Sequence, residues 1–173
     1  MPLQRRHFLA AGSLALFGAS RPASAQSRPR LRLAMIGTGM RGQVLLQELI
    51  RRDDVDVVAL CDIEPIMLKR ALAQLTKAGR PVPWTCGEDR DERAYRRLLE
   101  RPDLDGVIIA TPWEWHAPMA IDAMSARVPV GCEVVAGVTL QDHWDVLRAQ
   151  QRSGTPYMLL ENVCFRRDVM AVL

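Results

Sequence analysis

The chain has 173 residues, and its 49% hydrophobic and 25% charged side chains are typical of an ordinary globular protein. Its net charge of +3 comes entirely from residues 1–25, which contain three arginines and no acidic side chain. A neutral remainder without a stripe of basic and aromatic residues gives no reason to expect a nucleic-acid partner.

The first 25 residues have the three parts of an export signal. Arg5 and Arg6 form a twin-arginine motif, an apolar stretch covers residues 8–19, and Ala-Ser-Ala at 23–25 is a small-residue cleavage site. We predict a signal peptide cleaved after Ala25, recognition by the twin-arginine export machinery and a periplasmic location. The apolar stretch is shorter than the roughly 20 residues that span a bilayer, so stable membrane insertion is not expected. The alternative is a disordered or amphipathic tail.

A glycine-rich turn follows the first apolar run of the exported part. The sequence L-R-L-A-M-I is followed by Gly37, Gly39 and Gly42 in the G-x-G-x-x-G spacing of a dinucleotide site. In that motif the first glycine permits a sharp turn, the second lets a pyrophosphate approach the backbone, and the third lets helix and strand pack closely. The phosphates are expected at the N-terminus of the helix that begins here.

An acidic residue stands where a dinucleotide site needs one. Residues 55–61 form a second apolar strand, and Asp62 follows it directly. A carboxylate in this place accepts hydrogen bonds from the adenosine ribose and repels a ribose phosphate, which favours NAD over NADP. The alternative is that Asp62 only caps the next helix.

Strands and helices alternate along the remaining chain. Strands are predicted at 83–86, 106–110, 128–135 and 157–160, and helices at 44–49, 64–78, 91–100, 118–126, 140–152 and from 167 onward. The predicted inward-facing side chains of the second and third helices are Ile66, Leu68, Leu72, Leu75, Tyr95, Leu98 and Leu99. Solid apolar strands that alternate with helices predict an α/β fold with a doubly wound parallel sheet, a Rossmann domain.

Together with the signal peptide at residues 1–25, this pattern divides the chain into four segments. Residues 26–30 are a polar lead-in, and residues 31–165 form the nucleotide-binding domain. Residues 166–173 are expected to begin a second, substrate-binding domain, because the chain stops inside an apparent helix without a stop signal. The sequence is therefore expected to be an N-terminal fragment.

Aromatic and polar side chains cluster after the fourth strand. Trp113, Glu114, Trp115 and His116 follow Thr-Pro at 111–112, and tryptophan rings offer flat walls for stacking on a nucleotide or sugar. The alternative is a tryptophan pair that fills a domain interface, with His116 capping a helix.

Glu133 follows the fifth strand and Asn162 the sixth, at the sheet edge where ligands of such folds bind. Both could contact the nicotinamide ribose or its amide, or serve only as local caps.

The four cysteines give no metal signature. Cys61, Cys86, Cys132 and Cys164 form neither a C-x-x-C pair nor a Cys/His cluster, so neither a zinc site nor any other metal is expected. Cys61, Cys132 and Cys164 lie at or near the ends of apolar runs and are interpreted as packed thiols. Sequence leaves a disulfide open.

At these residues the chain resembles the Gfo/Idh/MocA family of NAD(P)-dependent sugar-handling oxidoreductases, and more narrowly the glycoside hydrolase family 109. The strongest matches are T-P-W-E-W-H-A-P-M-A at 111–120 and L-E-N-V-C-F at 160–165, with M-R-G, C-D and E-V in support. The resemblance implies NAD as cofactor. The contacts it implies are Met40, Arg41, Asp62, Trp113, Glu114, Trp115, His116, Glu133, Val134 and Asn162.

Four positions depart from one or other branch of the family. The hydrolase pattern continues E-V-P-A-A, but Val135 and Gly137 interrupt it here, and Phe165 replaces a usual tyrosine. Plain dehydrogenases of the family carry a catalytic lysine in an E-K-P turn. Val134 occupies that position and can neither donate nor accept a proton, which favours the hydrolase branch.

The resemblance implies an NAD-dependent α-N-acetylgalactosaminidase acting on a sugar or glycan. In that mechanism NAD⁺ takes a hydride from C3 of the sugar, the acidified C2 proton and the glycosidic oxygen leave, water adds, and the hydride returns. The general base and sugar contacts are implied to lie beyond Leu173, so no catalytic residue is assigned within this chain. The alternatives are a sugar oxidoreductase that consumes its cofactor and a non-catalytic nucleotide-binding fragment. Domains of this type commonly associate, which leaves a homo-oligomer open.

Overall fold

The computed structural model describes residues 29–172. Its strands are β1 (Leu31–Ile36), β2 (Val55–Cys61), β3 (Trp84–Cys86), β4 (Gly106–Ile109), β5 (Val130–Cys132) and β6 (Tyr157–Leu159). Its helices are α1 (Met40–Ile50), α2 (Pro65–Lys77), α3 (Tyr95–Leu99), α4 (Trp113–Ser125), α5 (Leu140–Ser153) and α6 (Arg167–Met170), with a 3₁₀ helix at Val163–Phe165. The strands form one parallel sheet in the order β3-β2-β1-β4-β5-β6. This confirms the predicted doubly wound fold, in which the strand order reverses between β1 and β4.

Both faces of the sheet are covered, which explains why its strands consist of unbroken apolar runs. Met35 and Leu60 project to one face, where they pack with buried residues of α1 and α2. Ala34, Ile36 and their neighbours project to the other face, against α3, α4 and α5. Replacing a fully buried leucine such as Leu60 by alanine costs about 2–5 kcal/mol in such a core.

The fourth helix begins earlier than its sequence predicts. The sequence predicts a helix over residues 118–126. The structure starts α4 at Trp113, and Pro118 lies inside the helix. There the proline forfeits one hydrogen bond, while the buried face that includes Met119 and Ala123 keeps the segment helical. The Trp-Glu-Trp-His run is therefore the first turn of a helix.

Other elements are shorter than predicted. The charged helix predicted at 91–100 is helical only from Tyr95, since the Asp91 carboxylate accepts a hydrogen bond from the Arg93 amide and forms a local turn. The strand predicted at 128–135 keeps only three residues in the sheet.

The predicted core of these helices is largely confirmed. Leu68, Leu75, Tyr95, Leu98 and Leu99 are buried, and Leu72 packs against the core while partly exposed. The prediction for Ile66 is wrong: it is 51% exposed, because it lies in the first turn of α2.

The predicted signal peptide lies outside the described residues. Among residues 29–172, no helix is long and apolar enough to cross a membrane.

Candidate functional site

The turn between β1 and α1 needs glycine at two positions for steric reasons. Gly37 has φ +87°, and a Cβ there would lie 2.6 Å from the carbonyl carbon and oxygen of Ala110. A Cβ at Gly42 would collide with the carbonyl oxygen of Gly37. The sharp turn and the close packing inferred from the sequence are therefore both present.

Gly39 is different, because apart from Gly39, its chain neighbours and its own helix, no described atom lies within 4 Å of the position that its Cβ would take. The space beside it is open, next to the free N–H groups at the N-terminus of α1. A group that approaches the backbone closely, such as a phosphate, can occupy that space.

The Asp62 carboxylate is fastened to the glycine turn. Its Oδ2 accepts hydrogen bonds from the amide N (2.6 Å) and the Oγ1 (3.0 Å) of Thr38, which is fully buried. Its Oδ1 accepts a bond from the Glu64 amide at 2.9 Å. Bonds to a charged acceptor are among the stronger ones in proteins, so the carboxylate is held in one orientation beside the turn.

A cleft of about 400 Å³ lies at the carboxyl ends of β1, β2 and β4, beside the point where the strand order reverses. Its walls include Gly37, Gly39, Asp62, Thr111, Trp115 and Met119. Ligands of doubly wound sheets bind in a crevice at this place. Four of the predicted site residues, namely Gly37, Gly39, Asp62 and Trp115, thus line one cavity.

The Trp-Glu-Trp-His run divides into exposed and enclosed parts. Trp113 is 61% exposed, and Trp115 is half-buried on the cleft wall. The His116 ring is buried, with Nδ1 2.6 Å from the carbonyl oxygen of Val135 and Nε2 2.8 Å from that of Thr111. The ring therefore joins the segments that follow β4 and β5. Its direct contact with a cofactor stays a prediction.

An ion pair connects the glycine-turn helix to the end of β5. The Arg41 Nε lies 2.6 Å from the Glu133 Oε1, and only 11% of the Glu133 side chain is exposed. The Glu133 amide in turn donates to the carbonyl oxygen of Ile109 at the end of β4. A nearly buried carboxylate needs such a partner, so these two predicted residues also position each other.

The remaining predicted residues are not among those that line the cleft. Met40 is 87% exposed on the first turn of α1, and Glu114 is exposed on the first turn of α4. Val134 follows Glu133, and Asn162 is exposed just before the 3₁₀ helix that follows β6. Their proposed roles as cofactor contacts stay predictions.

The sequence analysis did not identify three residues that support the site. Thr38 holds Asp62, and the Gln43 amide group donates to the carbonyl oxygens of Thr38 and Met67, 2.7 and 3.2 Å away. Gly87 has φ +97°, and a Cβ there would collide with the Asp62 carbonyl oxygen. A glycine directly after a short strand is the one signal that could have indicated Gly87 in advance.

The profile of an oxidoreductase family with an NAD-binding Rossmann fold, Gfo/Idh/MocA, matches residues 31–160. The chain belongs to the Gfo/Idh/MocA family. Two similar solved structures agree on the fold of this member. The WlbA dehydrogenase from Bordetella pertussis, in complex with NADH and UDP-GlcNAcA, has a TM-score of 0.69 at 18% identity over 83% of this chain and 40% of its own. An oxidoreductase from Agrobacterium radiobacter in complex with NAD⁺ has a TM-score of 0.70 at 23% identity over 83% and 39%.

Curated relatives of this Gfo/Idh/MocA chain carry hydrolase names. A glycosyl hydrolase family 109 protein from Stenotrophomonas maltophilia is 67% identical over 99% of this chain and 38% of its own. An alpha-N-acetylgalactosaminidase from Tannerella forsythia is 42% identical over 83% of this chain and 30% of its own. The chain thus spans about two fifths or less of these relatives. The predicted resemblance is confirmed.

NAD is therefore the cofactor of this domain, and the residues present fit it. The open side of Gly39 leaves room for a pyrophosphate beside the start of α1. The Asp62 carboxylate stands at the end of β2, where the family fold places the adenosine ribose. Within residues 29–172, no cluster of three or more His, Cys, Asp or Glu side chains could hold a metal ion.

Proposed function

We propose that the protein is an NAD-dependent glycosidase that hydrolyses terminal α-linked N-acetylgalactosamine by oxidation, elimination, addition and reduction. The observation that carries this proposal is the 67% identity to a glycosyl hydrolase family 109 protein over 99% of the chain. The 42% identity to an alpha-N-acetylgalactosaminidase supports the same substrate.

The described residues would hold and orient the cofactor. The backbone between Gly37 and Gly42 receives the pyrophosphate, and Asp62 accepts hydrogen bonds from the adenosine ribose. Bound NAD⁺ supplies reversible hydride acceptance and return at a sugar carbon. The Arg41–Glu133 ion pair and the buried His116 ring keep the ends of β4 and β5 in place beside it.

Val134 bears on the choice of reaction. It stands where dehydrogenases with the E-K-P turn have a lysine, and its alkyl side chain can neither donate nor accept a proton. We therefore assign proton removal from the sugar, and protonation of the leaving oxygen, to residues outside the described part of the chain. This arrangement suits a reaction in which the cofactor ends each cycle in its starting state.

The test uses the full-length gene product, purified without added nucleotide. It is incubated with p-nitrophenyl α-N-acetylgalactosaminide while nitrophenol release and the NADH absorbance band are recorded together. Release over many turnovers without net NADH is expected. Failure of release, with active NAD binding retained, would refute the glycosidase proposal.

A second candidate is a sugar oxidoreductase that consumes its cofactor. The family profile and the fold shared with dehydrogenases favour it. The same experiment with free sugars separates the two, because NADH formed in proportion to oxidised sugar would establish the oxidoreductase.

We also propose that the protein is exported to the periplasm by the twin-arginine pathway. The supporting features are Arg5 and Arg6, the apolar stretch and the cleavage site before residue 26. An enzyme that binds NAD benefits from folding around it before export. Cell fractionation should find the mature protein in the periplasm, and the Arg5→Lys/Arg6→Lys variant in the cytoplasm; equal distribution of the two would refute export by this route.

A further inference from the structure

Two buried cysteines stand side by side under the cleft. Cys61 is the last residue of β2, Cys86 is the last residue of β3, and the two are direct partners in the parallel register. Neighbouring strands lie about 4.8 Å apart, and disulfides join residues whose Cα atoms are about 4.4–6.8 Å apart. The backbone spacing at this pair is therefore within the range of a disulfide.

The two thiols share one environment. Both residues are less than 5% exposed and belong to the core between the sheet and α3. Cys61 also forms part of the cleft wall, while the Cys86 Sγ lies 3.5 Å from the carbonyl oxygen of Ala94. The pair is thus enclosed by the protein, and Cys61 is the member that borders the cleft.

The thiols also influence each other's ionisation. Interaction with the neighbouring Cys61 thiol lowers the pKa of Cys86, and interaction with Cys86, together with burial, raises the pKa of Cys61. Cys132 is the natural comparison, because it is equally buried and burial raises its pKa to about 12. The thiolate is the reactive form of cysteine, so Cys86 is better prepared to react than Cys132.

We propose that Cys61 and Cys86 form a redox-active dithiol that a small-molecule disulfide, entering through the cleft, oxidises to an internal disulfide. The thiolate of the pair attacks one sulfur of the oxidant and releases a small thiolate. The second protein sulfur attacks the mixed disulfide, and the second small thiolate leaves. Two S–H bonds become one S–S bond, and the oxidant is reduced to two thiols that take up both protons.

The position of the pair connects it to cofactor binding. Asp62 follows Cys61 directly, and Gly87 follows Cys86 and packs against the Asp62 backbone. NAD in the cleft would cover the route to Cys61. Bound NAD⁺ should therefore slow oxidation of the pair. An oxidising compartment, such as the periplasm proposed above, would supply the oxidant class.

The experiment treats the full-length, nucleotide-free protein with oxidised glutathione and maps its peptides under non-reducing conditions. A peptide that links Cys61 to Cys86 and disappears on reduction is expected in the wild type. The Cys132→Ser variant should form the same link, whereas Cys61→Ser and Cys86→Ser should not. NAD⁺ at ten times its Kd leaves about a tenth of the sites free, so the link should form about tenfold more slowly.

Absence of the linked peptide from folded wild-type protein would overturn the dithiol. A link that forms equally fast with and without NAD⁺ would overturn the cleft as its route. Neither result depends on the glycosidase proposal, because peptide mapping and NAD⁺ binding require no turnover of a sugar.

Discussion

Replacing Asp62 by alanine tests how the cofactor cleft is built. The side chain accepts three hydrogen bonds at 2.6, 3.0 and 2.9 Å, two of them from the fully buried Thr38. A buried donor left unpaired costs about 1–3 kcal/mol, so the free energy of unfolding should fall by about that amount. Loss of the ribose hydrogen bonds should weaken NAD⁺ binding by about 1–3 kcal/mol as well, which is roughly 5- to 150-fold in Kd.

Isothermal titration of NAD⁺ and urea unfolding measure the two effects separately. Asp54→Ala is the matched control, because Asp54 precedes the other end of β2 and forms an exposed pair with Arg52. It should bind NAD⁺ as the wild type does. An Asp62→Ala protein that is folded and binds NAD⁺ with unchanged affinity would refute the ribose assignment.

Two further perturbations separate binding from folding. Gly39→Ala adds a methyl group into open space, so it should leave the unfolding temperature unchanged while weakening NAD⁺ binding at least tenfold. The Cβ added by Gly42→Ala collides with the Gly37 carbonyl oxygen, so this variant should lower the unfolding temperature. Equal effects of the two variants on the unfolding temperature would contradict this interpretation. Thr139 and Asp142 form a capping box on α5, so Thr139→Ala should cost about 1 kcal/mol in urea unfolding at pH 7. The backbone hydrogen bond at Thr139 lowers the pKa of Asp142 below its usual 3.8, so the Asp142 contribution should be present at neutral pH and decline as the pH falls below 3.8 toward that lowered pKa. A stability difference between wild type and Asp142→Asn that does not shrink as the pH falls below 3.8 would contradict it.

The fold could be predicted because its information is local. Strands buried on both faces consist of unbroken apolar runs, and each helix between them has its own periodicity. The start of α4 could not be predicted in this way, because Pro118 is a strong local signal that the packing of Met119 and Ala123 overrides. The prediction for Ile66 was wrong for a related reason. The spacing places it on the apolar face of α2, but the spacing does not show that the first turn of this helix extends beyond the packed core.

The motif residues of the site could be predicted from the sequence, but the contacts that position them could not. Gly37, Gly39 and Asp62 belong to a motif with fixed spacing, and the structure places them on one cleft. The contacts that hold them are between residues far apart in sequence. Thr38 and Asp62 are separated by 24 positions, so their hydrogen bonds emerge only once β1 and β2 pair.

The Arg41–Glu133 ion pair joins residues 92 positions apart, across the line where the two halves of the sheet meet. Opening the crevice at this end would expose a carboxylate whose side chain is 89% covered and would remove its only cation within 4 Å among the described residues. The ion pair therefore holds the two halves of the sheet together at this end. The first turn of α1 and the segment after β5 should behave as one cooperative unit, with matching hydrogen-exchange protection of their amides. Loss of cofactor affinity would then require the unfolding of that whole unit rather than the fraying of a single loop.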